Sequence, residues 1–303
     1  FVKKGTGWPV KGNVDGNLAE KVNEYNPDLI VILDKSDVDD EFFDEVNSKI
    51  IWLDHHLPVE NPRCLYLNPQ VNDKNNNLAT SYWAYKISKN DLWLAVVGIV
   101  SDWQMPPKDI AEEFYSKYSN LLSRTIKKPK EALFNSEIGK LAKIFSFNLK
   151  ARRSDILSSI KILSRIEDPY EILNGETAQS KLILKRFEKH ELAYNKLMEQ
   201  INVDDGKMIV FKYDSNENSY TTDLSNDLLN KHPDKLIIIA RKSGNSYKCS
   251  LRSEKFPVRK ILENILAGIG GTGGGHPQAC GAVISEENFE TFVELFKNEV
   301  ESI

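Results

Sequence analysis

Leu29-Ile30-Val31-Ile32-Leu33 is an unbroken aliphatic run of strand length, and a second apolar run follows at Lys49–Leu53. Between them, over residues 38–48, apolar side chains recur at roughly helical spacing. Strand, helix and strand in so short a span predict an α/β region with a parallel sheet and crossover helices. A run with no polar member fits a strand covered on both faces.

Each run ends on an aspartate. Asp34 follows the first, and Asp54-His55-His56 follows the second. In open α/β sheets, ligands gather where the strands finish. Two carboxylates at neighbouring strand ends, with an imidazole beside one, make a mixed oxygen and nitrogen set that suits manganese. Two such ions roughly 3.5–4 Å apart could clamp the attacking and leaving oxygens of a phosphodiester. A third carboxylate, Asp102, follows the apolar run 94–100. Taken singly, Asp34 reads as a cap or turn residue and the histidine pair as a surface turn. Their succession along the chain is what argues for a metal. Asp37, Asp39 and Asp40 read as a solvated loop and helix start.

From about residue 110 to 200 the chain turns helical and charged. Leu141, Ile144, Phe145 and Leu149 recur at three- and four-residue steps, as do Ile156, Ile160 and Leu163. Asp168-Pro169 marks a break with a helix start after it. Strands return at 208–213, 236–240 and 247–252, followed by helices over 258–266 and 287–300. The predicted organisation is an N-terminal domain over 1–125, a helical connector over 126–204, and a smaller α/β domain over 205–303. Residues 72–77 form a polar loop.

The last domain holds a second dense signal, GIGGTGGGHPQACG over 268–281. Six of the eight residues 268–275 are glycine, out of 16 in the chain. That freedom costs folding entropy, and a concave set of backbone N–H groups approached by a phosphate is a reason to carry it. His190 and His232 lie in charged, motif-free surroundings and read as surface residues. Cys64 and Cys249 have apolar neighbours and read as core residues. The three cysteines show no paired spacing, which points to a reducing, cytoplasmic setting. No apolar run is long enough to span a membrane. With a net charge of −4 the chain lacks the basic excess of a protein that grips long nucleic acid nonspecifically.

Asp34, AspHisHis twenty residues on, Asp102 preceded by GlyIleValSer, and GGGHxxAxG from Gly273 to Gly281 together resemble the DHH phosphoesterase family. In that family a DHH domain is paired with a C-terminal DHH-associated domain, and the compact form here looks most like an archaeal-type RecJ homologue. The resemblance implies metal ligation by Asp34, Asp54, His55 and Asp102, with Asp54 bridging and acting in catalysis beside His56. It also implies substrate binding by Arg252, Gly273, Gly274, Gly275 and His276, on the far side of a cleft from the metals. The implied cofactor is Mn2+, with Mg2+ as the alternative, in a two-ion site. The implied reaction is hydrolysis of single-stranded DNA or RNA, short oligonucleotides or cyclic dinucleotides by metal-activated water, with no membrane partner.

The family's first motif, a DxDxDG on a strand, has no match here; Asp15-Gly16 has no apolar run before it. The favoured expectation is that the chain begins after that motif, since losing a central strand would leave sheet edges open. As written it would then bind single strands but hydrolyse them poorly. The rival expectation is a non-catalytic scaffold for nucleic acid or replication proteins, like the superfamily's replicative-helicase subunit.

Overall fold

The computed structural model describes residues 13–60, 62–150, 152–214 and 218–303. They divide into two compact units, one running to Ser146 and including Arg153–Ile183, the other made of Phe147–Arg152 and Leu184–Ile303.

The first unit opens with α1 (Gly16–Asn23), whose N-terminus is capped by the Asp15 carboxylate accepting from Leu18 N. Then come β1 (Leu29–Leu33), α2 (Asp40–Glu45), β2 (Lys49–Leu53) and β3 (Leu65–Leu67), with a short 3-10 turn at Pro69–Val71. The three strands pair in parallel in the order β1-β2-β3, with Leu33 opposite Leu53. Val38, Phe42, Ile32 and Trp52 form the core on one face, packed by α1 and α2. The other face differs from expectation. Val31 and Leu33 are half exposed, at 52% and 50%: among the described residues the core of this sheet packs on the Ile32 face, and Val31 and Leu33 point to the other.

Helices follow at α3 (Thr80–Ser88), α4 (Leu92–Ser101), α5 (Lys108–Lys117), α6 (Pro129–Asn135), α7 (Glu137–Asn148), α8 (Arg153–Leu163), α9 (Pro169–Asn174) and α10 (Ala178–Glu199). The apolar run that precedes Asp102 is thus helical. α4 buries Trp93, Val96, Val97, Ile99 and Val100 on several sides, as a helix hydrophobic all round should. Gly98 permits its close contact with α3, since a Cβ there would meet the Ser81 side chain at 2.5 Å. Asp168 caps α9 by accepting from Tyr170 N, at the predicted break. No described helix is long and apolar enough to cross a membrane.

The second unit adds β4 (Met208–Asp214), α11 (Thr221–Lys231), β5 (Leu236–Ser243), β6 (Ser246–Arg252), α12 (Val258–Ile269), β7 (Thr272–His276), β8 (Ala279–Ser285) and α13 (Phe289–Ser302). Its five strands run β4-β5-β6-β8-β7, with β4 and β5 parallel and the rest antiparallel. Alternate residues Leu236, Ile238 and Ala240 of β5 meet Phe289, Phe292 and Phe296 of α13 and Val258, Leu262 and Ile265 of α12 in one core. Cys249 lies within that core.

His190 is a correction to the sequence reading. It is buried, with Nδ1 2.9 Å from the Tyr220 hydroxyl. It stands in line with Ile183, Phe187 and Tyr194, all buried, on the inner stripe of α10. A charged neighbourhood in the sequence hid a place on a helical seam.

Candidate metal centre

The pairing of β1 with β2 places two acids side by side. Asp34 N donates to Leu53 O and Asp54 N to Leu67 O, so each aspartate extends its ladder by one residue. Immediately beyond, the chain must leave the sheet. Asp34 does so in the left-handed region, at φ 57°, an uncommon conformation for a residue with a side chain. Trp52 Nε1 then donates to Lys35 O, fixing the turn.

Asp34, His55 and Asp102 converge. His55 Nε2 lies 3.3 Å from Asp34 Oδ1 and 3.6 Å from Asp102 Oδ2. Ligand atoms of Asp34, His55 and His56 all lie within 4.8 Å of one another. Asp54 is fully buried and engages His56 twice, through Nδ1 at 2.8 Å and the backbone N–H at 3.0 Å. All five residues singled out in the N-terminal half therefore meet at one end of the sheet.

Polar partners around these groups set their orientation. His55 Nδ1 is 3.0 Å from Asn77 O, a contact in which the ring nitrogen must donate. That assigns the tautomer and leaves Nε2 facing the carboxylates, the arrangement in which a histidine offers one nitrogen to a metal. Gln104 spends its amide here: Nε2 donates to Asn77 O and to Asp102 Oδ2, while Oε1 accepts from Ala79 N. Thr80, at the start of α3, donates from its hydroxyl to Asp34 Oδ1 at 3.0 Å. Asn68 and Gln70 donate to the carbonyls of His55 and His56 and so hold the histidine turn. Sequence reasoning found none of these positions. The polar loop 72–77 was legible only as a loop.

The charges are coupled. Hydrogen bonding to Asp34 pushes His55 up to about 9, and the same bond holds the Asp34 carboxyl below its usual range. Burial pushes the Asp102 carboxyl up. A cationic imidazole between two carboxylates marks a place where positive charge is welcome. The donor set of carboxylates and an oriented imidazole fits a divalent cation of the manganese type.

In the second unit the glycine segment is not a loop. Gly273, Gly274, Gly275 and His276 belong to β7, an edge strand paired with β8, so the expected concave nest is instead an extended ribbon. Gly275 is required by the backbone, with φ 142° and a virtual Cβ 2.4 Å from Ala279 O; at Gly274 a Cβ would meet nothing within 4 Å. In register, Ala279 of β8 faces Arg252 of β6 on one side and His276 of β7 on the other. Arg252 and His276 thus share one face, two strand spacings or roughly 9.5 Å apart. The Arg252 guanidinium is anchored, Nε to Asn226 Oδ1 and Nη1 to the carbonyls of Leu251 and Cys280.

Residues 205–302 match the family model of the DHHA1 domain. No curated protein matches the chain by sequence. Among solved structures, the chain is similar to RecJ from Thermus thermophilus in complex with Mn2+, with a TM-score of 0.60 at 16% identity over 96% of this chain. It spans about half of that protein, 51%. A DHH domain of the s1p family of ribosomal proteins superposes with a TM-score of 0.59 at 16% identity, covering 93% of this chain and 72% of that one. The pGpG-specific phosphodiesterase PggH from Vibrio cholerae gives a TM-score of 0.50 at 11% identity, covering 94% and 88%. At these identities the likeness is one of fold.

Proposed function

We propose that this chain, a member of the DHH phosphoesterase family by its DHHA1 domain and its fold, is a divalent-metal-dependent phosphodiesterase of single-stranded nucleic acid or short oligonucleotides. The observation that carries the reading is the convergence of Asp34, His55 and Asp102 around one point, with the His55 tautomer fixed by Asn77.

Asp34, His55 and Asp102 would hold the cation, with Asp54 as the further ligand that the family resemblance implies. Bound there, Mn2+ or Mg2+ would supply Lewis-acid activation of water and neutralise charge developing on the phosphate. The chain's own groups do the rest. Asp54 fixes the His56 ring through Nδ1, which leaves the other nitrogen of the half-exposed ring for a phosphoryl oxygen or the departing alkoxide. Arg252 and His276, on one face of the second sheet, hold the nucleic acid's phosphates, and β7 lets a strand approach its backbone closely. Arg252 acts with part of its fork already fixed, which lowers the entropy lost on binding a phosphate. The setting we infer is cytoplasmic.

The test is hydrolysis of a short single-stranded oligonucleotide with and without Mn2+. Asp54→Asn should abolish metal-dependent cleavage while preserving the fold. Binding of single strands with no cleavage under any divalent ion would move the reading to a non-catalytic scaffold.

A further inference from the structure

The end of α4 is a complete Schellman cap: Trp103 N donates to Val100 O and Gln104 N to Ile99 O. The residue after the cap position in this motif adopts the left-handed conformation and is usually glycine. Here it is Trp103, at φ 58°. A side chain in that conformation costs about 1–2 kcal/mol, so the fold alone would favour glycine. The indole is nonetheless 40% exposed. Its one described ring neighbour is Phe134, edge-on at 6.1 Å and 66°. Strained residues with exposed side chains are retained where the side chain has another use.

We propose that Trp103 is the stacking platform for a nucleobase of the substrate, a proposal that rests on the phosphodiesterase reading above. Its place supports this. It is bonded directly to Asp102, whose carboxylate is 3.6 Å from His55 Nε2, so its backbone is anchored next to a residue of the cluster at which the scissile phosphate would sit. The edge-on contact with Phe134 sets the plane of the indole before a ligand arrives, which lowers the entropy lost on stacking. Leu57, 82% exposed and next to His56, adds apolar surface beside another residue of the same cluster. A flat aromatic face with no base-reading hydrogen bonds accepts every base, so the subsite should show little sequence preference.

The experiment compares a short phosphorothioate oligonucleotide with the same backbone carrying abasic residues, bound in the presence of Mn2+ to the unaltered chain, Trp103→Gly and Trp103→Phe. Glycine suits φ 58°, so that variant should fold, and its Mn2+ affinity should be unchanged. The unaltered chain should bind the base-bearing ligand roughly 5- to 150-fold more tightly than the abasic one, the range of single base–aromatic stacks. Trp103→Gly should lose that preference by weakening only the base-bearing ligand, and Trp103→Phe should keep most of it. Equal weakening of both ligands, or no weakening of either, would overturn the platform. Equal affinity of the unaltered chain for both ligands, with Mn2+-dependent cleavage of an ordinary oligonucleotide intact, would overturn it while leaving the phosphodiesterase reading in place.

Discussion

His55 ties proton and metal together. Its pKa stands near 9 rather than at its ordinary 6.5, chiefly through the bond to Asp34. A cation needs Nε2 without its proton, so binding at neutral pH must expel one. Mn2+ affinity should therefore rise by about tenfold per pH unit below 9 and level off above it. Titration calorimetry in buffers of different ionisation heat checks this. Near pH 7 it should show one proton released, and an affinity flat from about pH 6.5 to 9 would remove His55 from the ligand set. In protein stripped of divalent ions the sign reverses. A raised pKa contributes stability that is whole below 6.5 and fades as pH climbs through about 9. Gln104 invites a second test at this scale. Gln104→Met keeps the volume but drops the bonds to Asn77, Asp102 and Ala79. Losing such an outer partner should weaken Mn2+ by roughly 10- to 100-fold, and an unchanged affinity would make Gln104 a purely structural residue.

At the scale of elements, strand ends and helix ends do the positioning. β1 and β2 deliver Asp34 and Asp54, the cap of α4 delivers Asp102 and Gln104, and the start of α3 delivers Thr80. The strands and their terminal acids were legible in the sequence because an apolar run and the acid that ends it are contiguous. Thr80 and Gln104 were not, because their bonds to Asp34 and Ala79 span 46 and 25 residues and leave no local pattern. The glycine segment, expected as a concave set of backbone N–H groups, is a strand. Composition reports backbone freedom, whereas pairing with β8 decides what that freedom serves. Gly274 and Gly275 separate these roles. Gly275→Ala, at φ 142° and against Ala279 O, should destabilise the chain by about 1–3 kcal/mol, read from chemical denaturation. Gly274→Ala, with open space around its Cβ, should leave stability unchanged yet weaken oligonucleotide binding. Full binding by Gly274→Ala would show that no ligand passes close to β7.

At the scale of the whole molecule, the described residues form two compact units. One core cluster of the second unit draws its buried residues from Leu236 to Val300, with Met208 packed against it, and this stretch lies within the DHHA1 match, 205–302. The acids and histidines of the metal cluster all lie before residue 103. A domain of about 100 residues with its own core can fold alone with the usual 5–15 kcal/mol. A fragment of residues 205–303 should accordingly unfold in one cooperative transition by circular dichroism, and Mn2+ should leave its midpoint where it was. The full chain should gain thermal stability from Mn2+ in proportion to the logarithm of its concentration above the dissociation constant, and Asp34→Asn should remove that gain. A fragment that is molten, or one that Mn2+ stabilises as strongly as the full chain, would contradict this division: the first would mean that the DHHA1 core needs the rest of the chain, the second that a divalent ion binds outside the Asp34–His55–Asp102 cluster.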